Sequence, residues 1–168
     1  HIPINNDLYA ISAWIKPNSM GSKGIVGWGS YSELGTNAFR LDSTGLDAYW
    51  YANDLAAPVG DITGDWHHVL TQFDGTTRSI YLDGTLVASD EPETSPQYGS
   101  PGTHAVPNAN NFAIGRTFPG VEYFDGLIDD VRVYNRPRTA AEISALAIGN
   151  EPETSVANYT LDSALTVH

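Results

Sequence analysis

Five side chains with chemistry to offer stand close together in this sequence: Arg40, Asp42, Asp47, Tyr49 and Tyr51. Apolar residues interleave with them, Phe39 and Leu41 around Arg40, and Leu46, Ala48 and Trp50 around Asp47 and Tyr49. Alternation with period two marks a strand whose two faces differ. Ser43-Thr44-Gly45 between the two runs makes them a hairpin. If Phe39 and Leu41 point inward, so do Leu46, Ala48 and Trp50, and the opposite face carries a guanidinium, two carboxylates and two phenol rings. Such a face suits a hydroxyl-rich ligand, because the rings offer apolar surface and the charged groups donate and accept hydrogen bonds. A solvated outer sheet face has the same pattern, so parity alone leaves both readings open.

Further candidates lie on predicted loops, where binding residues concentrate. Tyr98 falls in a Pro-, Ser- and Asn-rich stretch at 89–109, longer than most connections in a compact domain. Tyr123 lies in a second loop at 116–125, and Tyr31, His104 and Phe118 complete the loop aromatics. Tyr98 and Tyr123 are possible additions to the hairpin face. Trp14 and Trp66 read as packing residues. His67 and His68 are neighbours on one strand and so point to opposite faces, poor geometry for a shared metal. The sequence contains no Gly-x-Ser-x-Gly elbow, no phosphate-binding glycine loop and no His-Glu-x-x-His.

The elements that must position these residues are strands. Short alternating runs bounded by Gly, Asn, Asp and Pro recur at Tyr9 to Lys16, Ile25 to Trp28, Trp66 to Phe73, Ser79 to Leu82, Leu86 to Ala88, Asn111 to Arg116 and Leu127 to Tyr134. One helix is predicted near 139–148, with Thr139 as N-cap, Glu142 completing a capping box and Gly149 ending it. Glu-Pro-Glu-Thr-Ser occurs at 91–95 and again at 151–155, both times as acidic surface chain.

Composition narrows the partners. A chain of 168 residues suits one domain with one sizeable core. With 20 acidic against 8 basic residues, its formal charge of −12 repels phosphate backbones and anionic lipid, so nucleic acid and membrane surfaces are poor partners. Neutral or cationic ligands are favoured over sulfated glycans. There is no cysteine, hence no disulfide framework. No apolar run is long enough to span a membrane. A start at His1 reads as a module cut from a larger exported protein.

Three stretches carry a family resemblance: Tyr9 to Pro17; Trp66-His67-His68-Val69 continuing to Ser79-Ile80-Tyr81-Leu82-Asp83-Gly84; and Phe124-Asp125-Gly126-Leu127-Ile128-Asp129-Asp130-Val131-Arg132-Val133-Tyr134-Asn135-Arg136. Together, over roughly residues 1–148, they resemble the laminin-G-like, pentraxin-like branch of the concanavalin A-like jelly rolls. The resemblance implies an all-β, antiparallel two-sheet sandwich, secreted or at the cell surface. It implies a structural calcium ion held by Asp129 or Asp130, since Ile128-Asp129-Asp130-Val131 matches the position of a metal-binding aspartate. It also implies a non-catalytic glycan-binding module, with a protein- or peptide-binding adhesion domain as the alternative. A polysaccharide-degrading enzyme fits less well, because the closely spaced acidic residues of the catalytic relatives, Glu-x-Asp-x-x-Glu, are missing. Residues 1–149 are expected to form the sandwich. Residues 150–168 are expected to be an acidic linker and, around Asn158-Tyr159-Thr160-Leu161-Asp162, a closing strand or the start of a following domain.

Overall fold

The computed structural model describes residues 1–118 and 121–149. The expected strand around Asn158 to Asp162 lies outside the described residues. In chain order the elements are β1 (Tyr9–Pro17), β2 (Lys23–Gly29), β3 (Thr36–Leu41), β4 (Leu46–Tyr49), β5 (Asn53–Ala57), β6 (His67–Phe73), β7 (Arg78–Leu82), β8 (Thr85–Asp90), β9 (Tyr98–Gly99), β10 (Ala113–Ile114), β11 (Arg116–Phe118), β12 (Val121–Tyr123), β13 (Gly126–Tyr134) and α1 (Ala140–Ala147). One sheet runs β13-β1-β6-β7-β8 and the other β10-β2-β3-β4-β5-β9, while β11 and β12 form a separate ribbon. The pairings are antiparallel.

The inward residues of both sheets build one core, with Tyr9, Ile11, Ile15, Val69, Phe73 and Ile80 from the first meeting Trp28, Phe39, Leu41, Leu46, Trp50 and Leu55 from the second. Alternation along β1, β3 and β4 produces this directly. The α1 helix starts at Thr139 with the expected capping box and lays Ile143 and Leu146 on Leu70, on the outer face of the five-stranded sheet. Gly149 follows it at φ +73°.

A buried cation links the two sheets. The Arg78 guanidinium, on β7, pairs with Asp90 of β8 through Nη2 at 2.7 Å and Nε at 3.2 Å, with side-chain exposures of 0% and 3%. It also crosses the core to donate to the Asn53 carbonyl at 2.8 Å, the Asn53 Oδ1 at 3.1 Å and the Ala48 carbonyl at 3.4 Å. Its Cζ lies 4.4 Å from the Trp50 ring centroid. The same indole stacks on the His104 imidazole, at 3.8 Å and 8°. Sequence alone places His104 among the loop aromatics. It does lie on a loop, between β9 and β10, but its ring is buried in the core with Nε2 held 2.7 Å from the Thr36 carbonyl oxygen.

Removing one partner of a buried ion pair leaves the other charge without compensation. Arg78→Met is therefore expected to destabilise the fold by about 3–5 kcal/mol in urea denaturation, and Arg78→Met with Asp90→Leu to recover part of that loss. Burial also lowers the His104 imidazole from 6.5 to about 3, so it is neutral in the native state. A histidine depressed by folding stabilises fully above its unfolded pKa and loses that contribution as pH falls towards the folded one. Between about pH 7 and about pH 4, His104→Phe is expected to lose less stability than the wild type, by about 1–3 kcal/mol.

Candidate functional site

The outward residues of the six-stranded sheet form rows across the strands. Gly27, Ala38, Tyr49, Asp54 and Tyr98 occupy one row, from β2 to β9, and Gly24, Arg40, Asp47 and Ala56 the next. The expected hairpin is present, and its register sets Leu41 opposite Leu46 and Arg40 opposite Asp47. The β11–β12 ribbon lies over one end of both rows. A Cβ at Gly24 would overlap the backbone of Arg116 and Thr117, and one at Gly27 would come within 2.8 Å of the Thr117 carbonyl oxygen. Glycine at these two positions lets the ribbon lie against the sheet. Beyond the ribbon, Tyr49, Asp54 and Tyr98 form an open face of the sheet, with Glu122 of β12 reaching Arg40 at its border.

Arg40 organises this face. Its Nε donates to Asp47 Oδ2 at 2.8 Å, and its Nη1 donates to both Glu122 carboxylate oxygens at 3.0 and 3.1 Å. Its Cζ lies 3.8 Å from the Tyr49 ring centroid. The guanidinium thus braces sheet, ribbon and one aromatic ring at once. The Asp47 side chain is only 6% exposed, and its Oδ1 is buried without a protein donor. Burial raises its carboxyl to about 6 against the opposing pull of Arg40, with Asp54 and Asp42 adding to the rise. Burial likewise raises Asp54 and pushes the Tyr49 hydroxyl well above its ordinary value.

Tyr51 reaches this cluster by a route that strand alternation does not describe. β4 stops at Tyr49, and Tyr51 and Ala52 both take positive φ, +61° and +65°, in the turn to β5. Left-handed backbone costs a non-glycine residue roughly 1–2 kcal/mol. Here Asp54 Oδ1 accepts from the Trp50 amide at 3.0 Å, Leu34 N donates to the Tyr51 carbonyl and Ser100 N to the Ala52 carbonyl. The turn sets the Tyr51 ring edge-to-face with Tyr49, centroids 5.9 Å apart, and with Tyr31, 4.7 Å apart. Tyr31 is 69% exposed.

The remaining expected residues separate. Tyr98 joins the floor next to Asp54, exposed. Tyr123 is exposed on β12 opposite Arg116. Asp42 does not share the cluster, because its Oδ1 accepts from Thr44 N, Thr44 Oγ1 and Gly45 N and so closes the β3–β4 turn. Sequence reasoning misses Asp54 and Glu122. Glu122 is 82 residues from Arg40, and Asn53-Asp54 has the composition of a turn. Trp14 lies on the other sheet, edge-on to His68 at 5.5 Å, away from this face.

A family model described as the concanavalin A-like lectin/glucanases superfamily matches residues 1–144. The chain belongs to this superfamily. No curated protein sequence matches it. Among solved structures, it is similar to domain 4 of AbnA, a GH43 extracellular arabinanase from Geobacillus stearothermophilus, in complex with arabinotriose. There the identity is 24% over 86% of this chain and 68% of that one, with a TM-score of 0.60. The CBM40 of the Ruminococcus gnavus IT-sialidase, bound to α2,3 sialyllactose, is 16% identical over 85% and 84%, with a TM-score of 0.67. A heptameric SAP-like pentraxin from Limulus polyphemus is 19% identical over 87% and 71%, with a TM-score of 0.57. At these identities the likeness is one of fold.

The superfamily resemblance puts calcium at Asp129 and Asp130, and one oxygen of each carboxylate already has a partner within the protein. Asp129 Oδ1 accepts from the Asp130 amide at 2.8 Å, and Asp130 Oδ1 from Arg132 Nε at 2.8 Å. The pair sits where the register of β1 against β13 shifts, with Asp130 at φ +47°. Calcium takes six to eight oxygens. Among the described residues no three His, Cys, Asp or Glu side chains converge on a possible cation position. Asp129→Ala and Asp130→Ala are each expected to cost about 1–2 kcal/mol by thermal melting; a loss equal in calcium and in chelator assigns it to these contacts, and a larger loss in calcium assigns it to a bound ion.

Proposed function

We propose that this chain is a non-catalytic carbohydrate-binding module of an exported protein, and that a glycan lies along the outer face of the six-stranded sheet. The observation that carries the proposal is the meeting of Tyr31, Tyr49 and Tyr51 above a sheet floor, braced by Arg40 through Asp47 and Glu122. Phenol rings fixed by a sheet and a hydrogen-bonded turn lose little side-chain entropy on binding. Polar groups beside them supply acceptors and donors for sugar hydroxyls. Tyr98 extends the floor beyond Asp54, and Tyr123 stands on the ribbon.

The neighbours in fold support the same reading, since the arabinanase domain was solved with arabinotriose and the CBM40 with sialyllactose. Both belong to larger enzymes, as an ancillary binding role would have it. An open face with several shallow contacts suits a polymer met repeatedly along its length. No helix among the described residues is long and apolar enough to cross a membrane.

A glycan array followed by titration of the best ligand tests this. Tyr49→Ala is expected to weaken binding about tenfold or more, about 1.4 kcal/mol. For Tyr51 the appropriate change is to Asn, which tolerates positive φ, so that a loss of affinity reports the ring and not the turn. Circular dichroism should be unchanged for both. Unaltered affinity in the double variant would remove the tyrosines from the site, and a blank array beside a bound protein or peptide would favour an adhesion domain.

A further inference from the structure

We infer that this sheet face selects saccharides bearing a free amino group and rejects those whose charge comes from carboxylate or sulfate. This rests on the saccharide reading above and specifies its ligand class. Two half-buried carboxylates, Asp54 and Glu122, flank the tyrosines above a third, the buried Asp47, and Arg40 is the cation that braces them. Arg116, the other cation of the ribbon, is in register with Tyr123 and not with Glu122. Arg78, which acts on Asp54 through the sheet, is consumed in the core by Asp90 and Asn53. The face therefore keeps an excess of negative charge.

The excess is not arranged for neutral hydroxyls alone. Arg40 uses Asp47 Oδ2 and both oxygens of Glu122, while the Asp47 Oδ1 remains buried with no protein donor. That oxygen is closed to solvent, so the carboxylates a ligand can meet are the half-buried Asp54 and Glu122, and these gain most from a donor that also carries charge. The Tyr31 and Tyr51 rings add a second attraction for the same group, since an ammonium is drawn to the face of a phenol. An acidic sugar meets the opposite situation. Its anion would need Arg40, whose contacts already run to Asp47 and Glu122, and it would approach a chain of formal charge −12. A sialic acid carboxylate, as in the ligand of the CBM40 neighbour, is disfavoured on this ground.

Three length-matched oligosaccharides test the selectivity by calorimetric titration of the whole chain near neutral pH: an oligomer of glucosamine, its N-acetylated form and an oligogalacturonate. The glucosamine oligomer is expected to bind at least tenfold more tightly than its acetylated form, with the oligogalacturonate not binding. High salt should narrow that gap by screening. Glu122→Gln and Asp54→Asn, which keep an acceptor for Arg40 and for the Trp50 amide, should narrow it too. Tighter binding of the acetylated or the acidic oligomer overturns the charge selectivity and leaves the saccharide reading standing. No binding of any of the three, together with a blank array, overturns both. Should a variant fail to fold, the wild-type affinities for the three ligands still separate these outcomes.

Discussion

The Arg78 guanidinium is the constraint around which the rest of the sandwich is arranged. A charge with no exposure to water is tolerable only when its donors are met, and here Asp90, Asn53 and the Ala48 carbonyl meet them from both sheets. The acceptors belong to β4, β5 and β8, so the cation fixes how β7 sits over the β4–β5 turn. That turn carries Tyr51, and its neighbour Asp54 holds the Trp50 amide. The order of the candidate site is thus tied, within a few residues, to an ion pair in the core.

Much of the architecture is legible in the residues themselves. The alternation of Phe39 and Leu41 with Arg40, and of Leu46 and Ala48 with Asp47, correctly specifies the hairpin and its faces. Thr139 and Glu142 announce the helix, because a capping box is a local device that needs no distant partner. The Arg78 pair is not legible in this way. Its acceptors come from residues 12 to 30 positions away, and nothing in Thr77-Arg78-Ser79 distinguishes a buried arginine from a surface one.

The candidate site is half legible for the same reason. Arg40, Asp47 and Tyr49 share one hairpin and follow its parity. Tyr51 belongs to the site although the parity argument ends at Tyr49, because a two-residue left-handed turn without glycine replaces the strand. Such a turn lacks the usual Asn-Gly marker, and three hydrogen bonds, one of them from Ser100 far along the chain, maintain it. Glu122 arrives on a ribbon that can lie on the sheet only because Gly24 and Gly27 present no side chain. The aspartates at 129 and 130 show the converse, a motif plainly visible in sequence whose carboxylates turn to the backbone and to Arg132.

The place of β1 between β13 and β6 in its sheet has a consequence for how the chain is made. Its neighbours are β6 and β13, so residues 9–17 pair on one side with 67–73 and on the other with 126–134. At ribosomal speeds of about 5–20 residues per second, β1 leaves the ribosome on the order of ten seconds before β13 does. Throughout that interval an apolar strand lacks the partner for one of its edges. Folding of this topology must also close long loops before the central pairing is rewarded, which places it among slow folders. A growing chain of this kind is a natural client for a holding chaperone until β13 emerges.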